Sequence, residues 1–329
     1  MPMSRPTAAA LRRLVLVFTM ASGLGAGCVN DSGDTSRVCA PLSVTHAAAA
    51  ASFGGSVFTI VLENHSLRDL LGSADAPFYN KLAQGNAIAA GYHDPYVHPS
   101  EPNYIWMVAG ENFGILDDDD PSAHHLSSRS HIADQLELAG LSWKNYEESM
   151  GAPCGLSSHD SYAVRHNPFV YFDDINGWDG HDFKPSARCI EHVVDYSELA
   201  TDLARGTLPK YVFISPNLDH DMHDGSVAQG DAWLAAEVPR LLSTDAFQNG
   251  GVLFLIGDEG GGRVASDDAP MLVVSPLAKH GYVSDTAYDT SSYLKTVQTI
   301  LGVEPLPCAA APATVSIMSD VFSVALTAP

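Results

Sequence analysis

Three apolar runs of this chain each end in residues able to bind a metal or move a proton. Residues 57–62 lead into Glu63-Asn64-His65-Ser66. Residues 211–215 lead through Pro216-Asn217 to Asp219-His220-Asp221-Met222-His223-Asp224, and residues 252–256 end in Gly257-Asp258-Glu259 within a glycine-rich frame, 260–262. Runs of this length, rich in β-branched and aromatic residues, read as buried strands, and open α/β sheets bind ligands at the carboxyl ends of such strands. If the three are parallel neighbours, their acids, amide and histidines converge on one edge of the sheet. Donors of that kind suit a divalent cation, with Mg, Ca or Mn favoured by carboxylate and amide, and Zn or Fe gaining if His223 joins. A single such strand end also looks like a solvated turn. Three together, one with five His or Asp in six positions, are hard to explain as packing.

A nucleophile is available nearby in sequence. Ser100 lies between Pro99 and Pro102, ahead of an apolar segment (Ile105, Trp106, Val108, Ala109) that reads as a helix stopped by Gly110. A serine there sits in the positive field of the helix N-terminus, which stabilises an alkoxide or a bound phosphate, although an ordinary N-cap serine looks the same. Arg165-His166-Asn167-Pro168 is the cluster suited to bind phosphate, with an exposed Arg and a satisfied His as the plainer alternative. The four carboxylates of 117–120 lack the alternating ligand spacing and the glycine of an EF-hand, and read as a solvated acidic loop.

The elements that must position these residues follow from periodicity and punctuation. The chain has 329 residues, enough for one large α/β domain and at most two. A fourth strand is expected at 271–275. Helices are expected at 76–84, 130–140, 232–242 with Pro239 as a kink or restart, and 292–301, long enough in sum for parallel crossovers. Residues 151–192 have little periodicity and lie between Cys154 and Cys189, as a lid or insertion held by a disulfide would.

The ends and the charge bound the setting. Residues 1–27 carry Arg5, Arg12 and Arg13, an apolar run at 14–20 and small residues, the pattern of a secretory signal too short to span a membrane. Leu24-Gly25-Ala26-Gly27-Cys28 resembles a lipobox, which would leave a lipid on Cys28 as a membrane attachment. Leu24 stands one residue further from the cysteine than is usual, so an ordinary soluble-export signal is the alternative. Residues 28–52, polar and then alanine-rich, read as a flexible tether, and 53–329 as a single domain. Setting Cys28 aside leaves four cysteines, read as two disulfides in an exported chain; of three pairings we prefer Cys154–Cys189 and Cys39–Cys308. Seventeen basic against 39 acidic side chains give a net charge of -22, which argues against nucleic acid as a partner and makes a metal the natural cation for handling phosphate.

Glu63-Asn64-x-Ser66, Pro99-Ser100-x-Pro102-Asn103-Tyr104, Ala133-Asp134-Gln135-Leu136 with Gly140-Leu141-Ser142-Trp143-Lys144, Asp221-Met222-His223-Asp224 with Gly230-Asp231-Ala232-Trp233, and Asp258-Glu259 occur in this order. The combination, running from about 57 to 320, resembles the bacterial phosphoesterase family of acid phosphatases and non-haemolytic phospholipases C, in the alkaline phosphatase superfamily. The resemblance implies an α/β fold, a three-layer αβα sandwich with a mostly parallel central sheet, and metal-dependent phosphoryl transfer. It implies Glu63, Asn64, Asp258 and Glu259 as metal ligands and Ser100 as nucleophile. His223 with Asp221 matches the histidine motif that contacts phosphate or a second metal, and His166 resembles the family's Lys-His-Asn-Pro element. Asn64, Asn103 and Asp221 are expected to contact substrate, with His223 or His166 protonating the leaving alcohol. Thr290 stands where a histidine is expected before Ser291-Ser292. The activity implied is hydrolysis of a small phosphate monoester through a phosphoserine. A phosphodiesterase or phospholipase C, or a lipoprotein that binds phosphorylated ligands without turnover, are the alternatives.

Overall fold

The computed structural model of the protein describes residues 53–261, 268–306 and 315–326. The expected signal segment, lipid-bearing Cys28, tether, Gly262 and Cys39–Cys308 pairing lie outside the described residues. The strands are β1 (Val57–Leu62), β2 (Ala87–Ala89), β3 (Tyr92–His93), β4 (Trp143–Glu147), β5 (Val193–Asp195), β6 (Tyr211–Ser215), β7 (Val252–Gly257), β8 (Met271–Val274), β9 (Tyr282–Ser284) and β10 (Tyr288–Asp289). Eight of them form one sheet in the order β5-β4-β6-β1-β7-β8-β2-β9, and β3 pairs with β10 separately. The five strands from β5 to β7 are parallel, and β8 runs antiparallel to both its neighbours. β1 therefore lies between β6 and β7, which puts the three acid-bearing strand ends side by side.

The near-continuous apolar character of β1, β6 and β7 has a direct cause: every residue of each is buried, because both faces of the sheet are covered. Alternate residues serve different cores. Val57 and Val61 pack with the helices Ser100–Ala109, Ile132–Leu138 and Thr290–Leu301. Phe58, Ile60 and Leu62 pack on the opposite face with Pro77–Gly85 and Val227–Leu242. The result is the three-layer αβα sandwich. Val227–Leu242 is one helix that accommodates Pro239 near its end, and it begins earlier than periodicity suggests because Ser226 and Gln229 form a capping box.

Two motif elements prove to be scaffolding. The Asp231 carboxylate accepts from Phe78 N–H at 2.9 Å and Tyr79 N–H at 2.7 Å, capping the helix Pro77–Gly85 from a different helix. Its neighbour Gly230 is required by close approach, since a Cβ there would meet Met222 Cγ at 2.4 Å.

The insertion 151–192 is closed by the Cys154–Cys189 disulfide. It is a packed wall: Val164, Phe169, Val170, Tyr171, Phe172 and Ile175 join the same core as the helix that carries Ser100. No helix among the described residues is long and apolar enough to cross a membrane.

Candidate active site

The three strand ends do converge. Glu63 follows β1 and is fully buried, its backbone N–H donating to the Asp221 carbonyl at 2.8 Å; Asp258 N–H donates to the Leu62 carbonyl at 3.2 Å. Asn64, next in the chain, is in the left-handed region at φ 50, which an asparagine tolerates better than most residues. Asp221 and Asp258 are also fully buried. His166, from the insertion, stands between the first two acids, with Nε2 at 3.2 Å from Glu63 Oε1 and Nδ1 at 3.2 Å from Asp221 Oδ2. Both contacts are off the hydrogen-bond direction. The Tyr104 ring, one turn along the Ser100 helix, stacks on the imidazole at 4.8 Å with a 7° interplanar angle.

Ser100 is the first residue of its helix, Pro99 serving as N-cap, and its hydroxyl donates to Glu63 Oε2 at 3.2 Å. The nucleophile candidate thus meets the strand-end acids while lying in the positive field of the helix N-terminus. Asn103, also predicted at the site, is fully buried one turn on. Its amide nitrogen donates to the carbonyls of Val97 at 2.9 Å and Pro99 at 3.4 Å, so it shapes the turn that presents Ser100.

Burial dominates the electrostatics. It pushes the Glu63 carboxyl up to about 7, an effect eased by His166 and reinforced by Asp221. Burial likewise pushes Asp221 up to about 7, eased by the His223 backbone N–H. Asp258 lies well above the carboxylate range through burial and the charges of Glu63 and Glu259. Desolvation drives His166 down to about 4, which keeps it neutral near pH 7. Glu63 Oε1, Asp221 Oδ2 and both Asp258 oxygens are buried and accept no hydrogen bond. Buried carboxylates with open lone pairs fit a hard divalent cation, and with Asn64 they supply the all-oxygen donor set such an ion takes.

The remaining predicted residues are placed as follows. Glu259 is raised by burial and pairs closely with His98, which eases its charge. His223 sits at the site mouth, its Nδ1 2.7 Å from Asp224 Oδ1, its Nε2 3.3 Å from Arg165 Nη2, and its ring 6.0 Å from that of His166. Arg165 also lies 3.7 Å from Asp118. Within the Asp219–Asp224 run the roles divide. His220 turns away to Glu148 at 2.9 Å, and Asp219 accepts from the Ser161 hydroxyl at 3.1 Å.

Among the described residues, the groups of three His, Asp or Glu donors with all ligand atoms within 4.8 Å are Asp117–Asp119–His124 and His131–Asp134–Asp174. The strand-end acids Glu63, Asp258 and Glu259 are not brought that close to one another. The second group is already neutralised: Arg188 reaches Asp134 at 2.7 Å and Asp174 at 2.5 Å, and Arg129 reaches Asp134 at 2.7 Å.

Sequence reasoning missed His98 and Asp118. His98 stands two residues before Ser100 in a proline-rich turn, and that proximity to the nucleophile was the one available signal. Asp118 was absorbed into a run of like residues, where nothing distinguishes the member that faces Arg165.

The solved structure of a protein in the alkaline phosphatase superfamily from Vibrio parahaemolyticus matches with TM-score 0.54 at 12% identity, over 85% of this chain and 74% of that one. The sandwich is therefore alkaline phosphatase-like. The profile of the Phosphoesterase family matches residues 58–304, and the chain belongs to that family. It is similar to a phosphatidylinositol-3-phosphatase of Mycobacterium tuberculosis, 29% identical over 302 residues that make up 92% of each chain. It is also similar to an acid phosphatase of Aspergillus fumigatus, 28% identical over 260 residues, 76% of this chain and 55% of the relative, so it spans about half the length of the fungal enzyme. The protein is a phosphoric ester hydrolase, as its motifs imply.

Proposed function

We propose that the protein is an exported, metal-dependent phosphomonoesterase that passes the phosphoryl group to Ser100 and then to water. The observation that carries this reading is the Ser100 hydroxyl, at a helix N-terminus and 3.2 Å from Glu63, facing a set of buried carboxylates with open lone pairs. Ser100 Oγ attacks phosphorus in line, its proton passing to Glu63 Oε2, and the bond from phosphorus to the substrate alcohol breaks. His223, oriented through Nδ1 by Asp224, has its Nε2 lone pair taken by an N–H of Arg165 at 3.3 Å. Once the phosphoryl group draws Arg165 away, that nitrogen is free to carry the proton that passes to the departing alkoxide, a task that the neutral, buried His166 does not share. Water then displaces Ser100 from phosphorus, Ser100 regains its proton, and inorganic phosphate leaves. Asn64 and the Arg165 guanidinium offset charge on the phosphoryl oxygens. A divalent cation held by Glu63, Asn64, Asp258 and Glu259 supplies Lewis-acid stabilisation of the developing charge when bound.

Monoester preference is supported by the name of the relative matched over 92% of its length, a phosphatase, which makes phosphatidylinositol 3-phosphate the first lipid to test. Export is supported by the Cys154–Cys189 bond, which persists in oxidising compartments. Lipid attachment at Cys28 is tested by fatty-acid labelling of wild type and Cys28→Ser. The activity is tested with a chromogenic phosphate monoester, its diester, phosphatidylinositol 3-phosphate and phosphatidylcholine, before and after chelation. Monoester turnover lost on chelation is the expected result. Preference for the diester or phosphatidylcholine would replace the reading with a phosphodiesterase or phospholipase C. No turnover with any divalent metal would favour a phospho-ligand-binding protein.

A further inference from the structure

A buried carboxyl group with no part in the chemistry above stands at the end of β4. Residues 143, 145 and 147 share one face of that strand; Trp143 joins the core there, while Asn145 and Glu147 are polar and only 0% and 1% exposed. Buried polar groups persist where their hydrogen bonds are made, and these bonds lead to the insertion. Glu147 lies opposite Ser215 of β6 in the parallel register, and Ser215 Oγ stands 3.0 Å from Glu147 Oε1 and 2.8 Å from the His166 carbonyl oxygen. The Asn145 side-chain amide donates to Glu147 Oε1 at 2.8 Å and to Asn167 Oδ1 at 2.9 Å. Asn167 in turn donates to the Tyr162 hydroxyl at 2.9 Å, which donates to the Gly155 carbonyl at 2.8 Å.

The number of hydrogens decides the direction of these bonds. The Ser215 hydroxyl has a single hydrogen and the His166 carbonyl can only accept, so the hydrogen goes to the carbonyl. The contact with Glu147 then closes only if the carboxyl supplies a proton of its own, Glu147 O–H donating to Ser215 Oγ. Burial agrees with this, pushing the Glu147 carboxyl well above the usual carboxylate range, an effect eased by Asn145 and Ser215. The groups that meet it are a neutral amide and a hydroxyl, with no cation to hold a charge. An ionised carboxylate here would take the Ser215 hydrogen for itself and leave the His166 carbonyl without it.

We propose that Glu147 is a positioning residue for the phosphoryl side of the site: as a donor to Ser215, and together with Asn145, it fixes the turn 164–167 from behind. That turn carries Arg165, 3.3 Å from His223, and His166, which stands between Glu63 and Asp221. The linkage runs through the His166 carbonyl and the Asn167 side chain, so Glu147 acts on the reaction only through where the turn stands. The inference rests on the phosphomonoesterase reading for its substrate, and on the hydrogen bonds for the linkage.

The test compares three variants of the full chain, metal-loaded and assayed per folded molecule: Glu147→Leu, which removes the donor, Glu147→Gln, whose amide can still donate to Ser215, and Ser215→Ala. Glu147→Leu and Ser215→Ala should each lower kcat/KM for a phosphate monoester by about 10- to 100-fold, the cost of a displaced substrate-holding group. Their double variant should lose no more than the worse single one, because both break the same chain of hydrogen bonds. Glu147→Gln should keep most of the wild-type value. The infrared difference between wild type and Glu147→Gln at neutral pH should show the band of a protonated carboxylic acid, a readout independent of turnover. A wild type that prefers the diester would replace the monoester reading alone, and the same ratios are then read on the diester. A wild type without turnover is read by its dissociation constant for inorganic phosphate. A Glu147 that only supports the fold would lower stability to urea and leave kcat/KM and phosphate affinity unchanged, which would overturn the proposal. Losses that multiply in the double variant, or carboxylate bands in place of the acid band, would overturn it as well.

Discussion

Glu63→Gln should make the metal-free protein more stable while removing its activity. The Glu63 carboxyl is fully buried, and burial pushes it from its ordinary 4.5 up to about 7. The folded state therefore holds the proton to higher pH than the unfolded state, and stability falls as pH rises through that window. At 1.36 kcal/mol per unit, the ionised unfolded state is favoured by about 3 kcal/mol at pH 7, a cost that shrinks to about 0.4 kcal/mol at pH 4.5. Glutamine keeps the shape and has no charge to lose. In chelator, Glu63→Gln should exceed wild type by about 3 kcal/mol at pH 7 and by much less at pH 4.5, read from urea unfolding with equal slopes. With divalent metal the order should reverse, because only the wild type gains from binding. A Glu63→Gln protein less stable than wild type in chelator at pH 7, or a gain independent of pH, would refute the reasoning.

Asp231→Ala removes two charge-assisted hydrogen bonds to the first turn of Pro77–Gly85 and should cost about 3 kcal/mol by denaturant unfolding, with turnover per folded molecule unchanged. Replacing both Cys154 and Cys189 with serine opens a loop with a sequence separation of 35 and should cost about 4 kcal/mol, seen as a lower thermal midpoint. Arg165→Leu should raise KM for a phosphate monoester with a smaller change in kcat, since its guanidinium meets the ground-state phosphate as well as the transition state.

Much of the architecture was legible because β1, β6 and β7 are buried on both faces and therefore read as unbroken apolar runs. Ser100 on its own looked like an ordinary N-cap serine, and it was the resemblance of Pro99-Ser100-x-Pro102-Asn103-Tyr104 to the family motif that singled it out. Helix ends were read less well, since Val227–Leu242 begins with residues whose capping depends on Ser226 and Gln229 rather than on apolar period. What stayed hidden is pairing across long sequence separations. Glu259 meets His98 across 161 residues, His220 meets Glu148 across 72, and Asp231 caps a helix 152 residues earlier. Local pattern carries no record of such contacts. For the same reason, Asp231 looked like part of a functional motif when its carboxylate does structural work, and the 117–120 run looked uniform when its members face different partners.

The most direct test of the account is capture of the phosphorylated enzyme. Acid-quenching the metal-loaded protein during turnover of a labelled phosphate monoester should leave one phosphoryl group on the peptide that contains Ser100. Ser100→Ala should carry none and lose turnover by a factor on the order of 10⁴ or more. An unlabelled Ser100 peptide together with an active Ser100→Ala protein would contradict the account.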